Sequence, residues 1–174
     1  DEETCTLTIS GSGSIKSYSY DNRPWEDYIK KIETLVIEEG IEKIGEYAFY
    51  DCTSLEQVSF PDTLTTLYDF AFYDCKALKT ITIPKNITEY HAVPFNSLKT
   101  VFYEGTLADW CNINFKDEGS NCFTCAEELY IDNVLLEGDL IFPSNVTTIK
   151  ARAFANCNSI TSVYIGDNIV DIGQ

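Results

Sequence analysis

The chain has one histidine, His91, only 12 lysines and arginines against 28 acidic residues, and no apolar run approaching the roughly 18 residues that a membrane-spanning helix needs. Each shortage excludes a class of function. A single imidazole removes most acid–base schemes, and no Gly-x-Ser-x-Gly, His-Glu-x-x-His or phosphate-cradling glycine loop accompanies it. Carboxylate-pair chemistry of the glycosidase kind stays formally open, but abundant surface acids usually serve solvation. No enzyme is expected. The formal net charge of −16 repels phosphate backbones, which excludes nucleic acid and anionic membrane surfaces and favours cationic partners or divalent metal. No basic segment followed by an apolar one opens the chain, which starts at Asp1, a start compatible with a signal peptide already removed.

What the chain does have is repetition. Hydrophobic residues at 44% and aromatics at 13% are enough for a folded core despite the charge. Residues 41–63 are followed at once by a copy of themselves: Ala48, Phe49, Asp51, Cys52, Leu55, Val58, Phe60 and Pro61 recur 23 residues later as Ala71, Phe72, Asp74, Cys75, Leu78, Ile81, Ile83 and Pro84. A fixed period of about 20–50 residues is the signature of a solenoid, whose core is a line of contacts between neighbours. The expected architecture is therefore an α/β solenoid forming one domain over 1–174.

Within a unit, Val58 and Phe60 point one way and Gln57 and Ser59 the other, a short strand that Pro61 ends. Ile41, Ile44, Ala48 and Phe49 are spaced for one side of a short irregular or helical turn, with Gly45 permitting a tight bend. Stacked units then form one parallel sheet of short strands. Residues 1–31 carry no copy and are expected to form an N-terminal cap: 5–9 alternates like an edge strand, and Trp25 and Tyr28 serve as core lids. Repeats occupy 32–104, the third unit losing three residues between Phe95 and Leu98 and the cysteine slot with them. Residues 105–145 form a degenerate repeat with an inserted loop and a pair of strand-like runs, 129–131 and 140–143. Repeats resume over 146–174, where the last unit stops, either as a fragment of a longer array or as an open edge.

The cysteines divide into two sets. Cys52, Cys75 and Cys157 share a repeat slot and read as buried small apolar residues. Cys5, Cys111, Cys122 and Cys125 lie outside it, as structural thiols or as two disulfides in an oxidising compartment. Cys122-Phe-Thr-Cys125 has redox or zinc half-site spacing but lacks a second pair, and Asp109, Asp117 and Glu118 lack the alternating oxygen ligands of a calcium loop. No metal and no cofactor are expected. His91 stands where Gly45 stands in the first unit, at a degenerate repeat bend, and reads as an ordinary satisfied residue. Asn86-Ile-Thr88 and Asn145-Val-Thr147 are glycosylation acceptors only in a eukaryotic source.

The pattern Ile44-Gly-x-x-Ala48-Phe-x-x-Cys52-x-x-Leu55-x-x-Val58-x-Phe60-Pro61 resembles the BspA-like, Treponema-type leucine-rich repeats of bacterial and protist surface proteins, over about residues 32–174. The opening Leu7-Thr-Ile-Ser-Gly-Ser-Gly13 with Pro24-Trp25 is similar to the segment that precedes such arrays. Tyr103-Glu-Gly-Thr106 with Trp110 and Ile113 is similar to a variant unit that interrupts them. The resemblance implies a right-handed leucine-rich-repeat superhelix, secreted or held on the cell surface, with adhesion or protein recognition as its role. The lost cysteine slot of the third unit and Cys111, Cys122 and Cys125 depart from the pattern.

If Val58 and Phe60 face the core, the residue between them faces solvent on the sheet, the usual binding face of a leucine-rich repeat. That column reads Val36, Ser59, Thr82, Phe102, Ile141 and Tyr164, with Tyr130 alongside. Its C-terminal members form an apolar and aromatic stripe, expected to bind a protein or peptide, a host extracellular protein among the candidates. A missing repeat or the expanded loop covering the stripe is the competing account. Two other functions stay open: a spacer that projects another domain, which would want a featureless sheet face, and a carbohydrate-binding module, which would want exposed aromatics flanked by Asn, Asp and Arg.

Overall fold

The computed structural model describes residues 4–91, 95, 97–116 and 126–173. The first four coils of a solenoid each contribute two short strands: β1 (Thr6–Ile9) and β2 (Gly13–Ile15), β3 (Thr34–Ile37) and β4 (Ile41–Ile44), β5 (Gln57–Ser59) and β6 (Thr66–Leu67), β7 (Thr80–Ile83) and β8 (Glu89–Tyr90). The fifth has β9 (Thr100–Tyr103), a one-turn helix α1 (Leu107–Cys111) and β10 (Asn114–Phe115). Then follow β11 (Glu128–Ile131), β12 (Val134–Leu135), β13 (Gly138–Ile141), β14 (Thr148–Ile149), β15 (Ile160–Tyr164) and β16 (Asp171–Ile172).

Strands of the first kind pair in parallel as β1-β3-β5, as β7-β9-β11 with β12 at the edge, and as β13-β15. This is the expected sheet, in three pieces. The segment expected as an irregular or helical return path carries a second parallel ladder, β2-β4-β6-β8-β10, with β14-β16 further on. Its strands are two to four residues long, too short for an alternating pattern to show, and they exist because each coil hands backbone hydrogen bonds to the next. Thr34 pairs with Gln57 and Lys43 with Thr66 at the 23-residue period. Thr80 pairs with Thr100, so the three-residue deletion leaves the strand register intact.

Residues 6–15 prolong both ladders although they carry no copy of the repeat, Leu7 pairing with Leu35 and Ile15 with Ile44. β1 sits at a sheet edge, as its alternation predicts. Trp25 is buried and donates its indole N–H to the Ala48 carbonyl at 2.9 Å. Tyr28 is not a lid: it is 45% exposed and lines, with Trp25 and Lys31, a cleft of about 670 Å³ at the end of the first coil. It is the last residue of a single 3-10 turn (Glu26–Tyr28). Gly45 also has a different reason from the bend expected of it. A Cβ there would lie 2.4 Å from the Lys16 carbonyl carbon and the Ser17 nitrogen, so the previous coil's backbone occupies the space of a side chain.

The core is a column of stacked residues. Trp25, Phe49, Phe72 and Phe95 lie face to face with ring centroids 5.4, 5.2 and 5.6 Å apart, one ring per coil. Leu35, Ile44, Leu55, Leu64, Leu67 and Leu78 have no exposed surface around it. Val58 and Phe60, expected in the core, are only half-buried and pack against it. The turns stack as well: Phe49 N–H donates to Ala71 and Asp51 N–H to Tyr73, both at 2.8 Å. The three complete turns described each have two left-handed residues, Tyr47 and Asp51, Phe70 and Asp74, Arg152 and Asn156, all with φ between 55° and 66°.

The degenerate stretch reopens the array in the way the first coil begins it. Thr106 caps α1 with Asp109 in a reciprocal capping box. That helix buries Trp110, whose indole donates at 2.8 Å to the carbonyl of Ala153, the residue that occupies the slot of Ala48. Trp25 and Trp110 thus anchor the two stretches where the pattern fails to the complete turns they meet. The expected run at 129–131 appears as β11, and the one at 140–143 is shifted to β13, which shares only Leu140 and Ile141 with it. Between them β12 folds back antiparallel on β11 through Asp132 and Asn133, both at positive φ, a hairpin not expected from the sequence.

Candidate functional site

Strand pleating puts alternate side chains on the solvent side of the first ladder, and its register determines which of them are neighbours. Val36 pairs with Ser59. Thr82 pairs with Phe102, and Phe102 with Tyr130. Ile141 pairs with Tyr164. The column therefore exists as three groups on three pieces of sheet. In β7 and β11 the residues on either side of Thr82 and Tyr130 are buried, which places the named residues on the outer face.

Composition changes along the column. Val36, Ser59 and Thr82 present small side chains. Phe102 and Tyr130 stack with centroids 4.8 Å apart and planes 22° from parallel, both half-buried. Ile141 is 66% and Tyr164 56% exposed. The sequence does not show that β12 occupies the edge of β11, where it separates the two apolar groups. That hairpin adds a residue the column missed: Leu135 is the direct cross-strand partner of Tyr130, so the first group is Phe102, Tyr130 and Leu135. A turn signal at Asp132-Asn133 was the only trace of it.

Polar pairs flank both groups two residues along the same face. Thr100 donates its hydroxyl to the Glu128 carboxylate at 3.2 Å beside Phe102 and Tyr130, and just before the two strands Lys99 pairs with Glu127 at 3.4 Å. Ser162 donates to Asp139 beside Ile141 and Tyr164. Apolar centres with a polar margin are the usual composition of a protein-binding patch.

The groups with reactive potential are placed for packing. Cys52 and Cys75 are buried, and Cys75 donates its thiol to the Phe49 carbonyl at 3.3 Å. Burial pushes the Cys75 thiol well above its ordinary value. Burial alone pushes the Cys111 thiol up to about 12, so at neutral pH it is a thiol and a poor nucleophile. Cys157 is half-buried in its repeat slot and Cys5 half-buried at the first coil. Cys122, Cys125, Asp117, Glu118 and Pro94 lie outside the described residues. Asp109 is occupied in capping α1. Among the described residues no group of three or more His, Cys, Asp and Glu side chains is arranged to hold a metal ion. His91 occupies the same rung as Gly45, its N–H donating to Leu67 at 3.0 Å and its ring 4.7 Å from that of Tyr68. Among the described residues no helix is long and apolar enough to cross a membrane.

A second group of aromatic side chains lies on the turns. Tyr20, Tyr50 and Tyr73 form one row of rings, with centroid spacings of 4.9 and 5.5 Å, and Tyr47 and Phe70 a second, at 5.3 Å. The 23-residue spacing of Tyr47 to Phe70 and of Tyr50 to Tyr73 was the available sequence signal.

The family model for the BspA type leucine-rich repeat region matches residues 26–129 and 130–174, in six copies. No curated protein matches the chain. Among solved structures, a leucine-rich repeat protein from Eubacterium ventriosum is similar in fold, with a TM-score of 0.51 at 20% identity over 98% of this chain. The chain spans 58% of that protein's length. A leucine-rich repeat protein from Bacteroides ovatus matches 83% of this chain and 45% of its own, at 21% identity and a TM-score of 0.46. A leucine rich cell surface protein from Faecalibacterium prausnitzii matches 97% of this chain and 65% of its own, at 21% identity and a TM-score of 0.38.

Proposed function

The chain belongs to the BspA-type leucine-rich repeat family, and on that premise we propose that it is a non-enzymatic recognition module at the cell surface or in secreted form. It binds a protein or peptide partner through the outer face of its first ladder, where Phe102, Tyr130, Ile141 and Tyr164 supply the apolar contact and Ser59 and Thr82 extend the face toward the N-terminal coils. Leucine-rich repeats commonly act in protein interaction.

The observation that carries this reading is the pair of apolar groups at strand register, Phe102 stacked on Tyr130 and Ile141 beside Tyr164, each edged by polar residues. A stiff sheet holds these side chains without a partner, so ordering them on binding costs little entropy. A spacer has no use for such a stripe. A host extracellular protein suits an adhesion role, and the net charge of −16 favours a partner with basic character around its contact.

The test begins with the intact labelled protein on protein and glycan arrays, followed by titration of any protein captured. Phe102→Ser with Tyr164→Ser is expected to weaken that binding by about 30-fold or more, the loss expected when hot-spot aromatics are truncated. Unchanged affinity in a variant that melts like the parent sinks the reading. Capture of glycans alone transfers the face to carbohydrate.

A further inference from the structure

We propose that the turn edge of the first three coils is a second recognition surface, fitted to an arginine- or lysine-bearing segment of a partner protein and separate from the sheet face. It is built from Tyr20, Tyr47, Tyr50, Phe70 and Tyr73. The two rows of rings touch each other, Tyr47 and Tyr50 at 5.7 Å and Phe70 and Tyr73 at 5.8 Å, so the five form one sheet of aromatic surface. Tyr20 is 61% exposed and the other four are half-buried.

The backbone does not call for rings at these positions. Tyr47 and Phe70 sit at φ 57° and 55°, a region where bulky residues are outliers and which costs roughly 1 kcal/mol or more per residue. The same slot in the later complete turn holds Arg152 at φ 65°, with Ala155 where Tyr50 and Tyr73 stand. The fold closes its turns without aromatics there. Rings in the first turns have another use.

The charge of these turns identifies the partner's chemistry. Residues 46–53 and 69–76 carry Glu46, Asp51, Asp69 and Asp74 against one base, Lys76. The corresponding residues 151–158 carry no carboxylate and one arginine. Outward rings and carboxylates are present together in the first turns and absent together in the later one. Asp51 pairs with Lys30 and Asp74 with Lys76 at 3.0 Å, but both lysine side chains are more than half exposed, so an incoming cation can displace them at little cost. Tyr20, at the first-coil end of its row, keeps most of its surface open to solvent. Tyrosine in this form gives amphipathic contact area with few rotamers to freeze. An arginine matches both components, its plane stacking on a ring while its fork takes a carboxylate with two hydrogen bonds.

The intact protein is titrated at physiological salt with a fluorescein-labelled arginine-rich peptide and with the same peptide carrying glutamate for arginine. The arginine peptide is expected to bind and the glutamate peptide not. Tyr50→Ser with Tyr73→Ser is expected to weaken binding about tenfold or more, while Phe102→Ser with Tyr164→Ser leaves it unchanged. Should the tyrosine pair fail to fold, Tyr20→Ser, at an exposed position, and Glu46→Gln with Asp69→Asn carry the test, each expected to weaken binding several-fold. Equal affinity for the parent and the turn variants means attraction by net charge alone and overturns the proposal. So does the absence of binding, or loss only in the Phe102 and Tyr164 variant. An oligosaccharide competing the peptide off the parent but not off the turn variants would reassign the surface to sugar and overturn it equally.

Discussion

Phe72→Ala is expected to lower the free energy of unfolding by about 3–5 kcal/mol, among the largest losses available to a single substitution in this protein. Phe72 has no exposed surface and stacks on Phe49 on one side and Phe95 on the other, with Phe60 edge-on at 5.7 Å. Truncation removes the ring's own burial and leaves a void whose walls belong to consecutive coils. Those coils are held at fixed spacing by the ladders and turn hydrogen bonds, so they collapse little. Urea unfolding reads the effect as a lower midpoint with the slope preserved. In a stacked array each coil is stabilised mainly by its neighbours, so a slope that falls as well would mean that the array has come apart into two cooperative units at Phe72. A loss below about 1 kcal/mol would mean that the rings do not form a continuous column.

Arg23→Met is expected to cost about 2–4 kcal/mol for a different reason. Arg23 is 6% exposed, and its guanidinium joins the first coil to the turn of the second. It donates to the Tyr47 carbonyl at 3.1 Å, the Tyr50 carbonyl at 2.6 Å, the Tyr20 carbonyl at 2.9 Å, and to both oxygens of Glu26 at 2.7 and 2.9 Å. Methionine fills much of the volume and removes the donor from the Tyr20 and Tyr50 carbonyls, while the Tyr47 carbonyl keeps the Tyr50 N–H. Glu26 is 34% exposed, so solvent screens part of the ion pair and the carbonyls carry most of the loss. The hydrogen bond from Arg23 holds the Glu26 carboxyl below its ordinary value. A depressed carboxyl contributes stability above its unfolded pKa and loses it as pH falls through the folded value. The gap between parent and variant should therefore narrow on acidification below the ordinary glutamate range. Urea titrations at neutral and acid pH check both the size of the gap and this trend; a gap that widens in acid would contradict the assignment.

Much of this architecture is legible in the chain because the period is carried by residues that cannot be moved. Ala48, Phe49, Cys52 and Leu55 and their copies Ala71, Phe72, Cys75 and Leu78 have at most 1% of their surface exposed, so each must recur in register, while Phe154, Cys157 and Ile160 in the last complete unit are half-buried. The first ladder is legible for the same reason, since Ile81 and Ile83 or Val101 and Tyr103 alternate with outward residues. The second ladder is not, because Thr66–Leu67 and Glu89–Tyr90 are too short to alternate and owe their extended form to the coils on either side. Tyr28 has the composition of a lid and the exposure of a rim residue, a distinction that depends on its place at the end of a 3-10 turn. For the candidate site, counting from the inward residues selects the column, and the pairings set its members side by side only within three separate groups. The interruption by β12 and the addition of Leu135 depend on a hairpin whose two-residue turn, Asp132-Asn133, lacks the glycine that usually marks such turns. The outward rings at 47, 50, 70 and 73 shared the period of the core and were hidden by it.

The central claim is that partners engage the outer face of the first ladder, and oxidative side-chain footprinting of the intact protein, free and bound to a protein captured on the arrays, tests it most directly. Aromatic side chains report this modification well, and the face carries three of them. The account predicts that Phe102, Tyr130 and Tyr164 are modified in the free protein and protected in the complex. Protection of other surfaces with these three unchanged would contradict it.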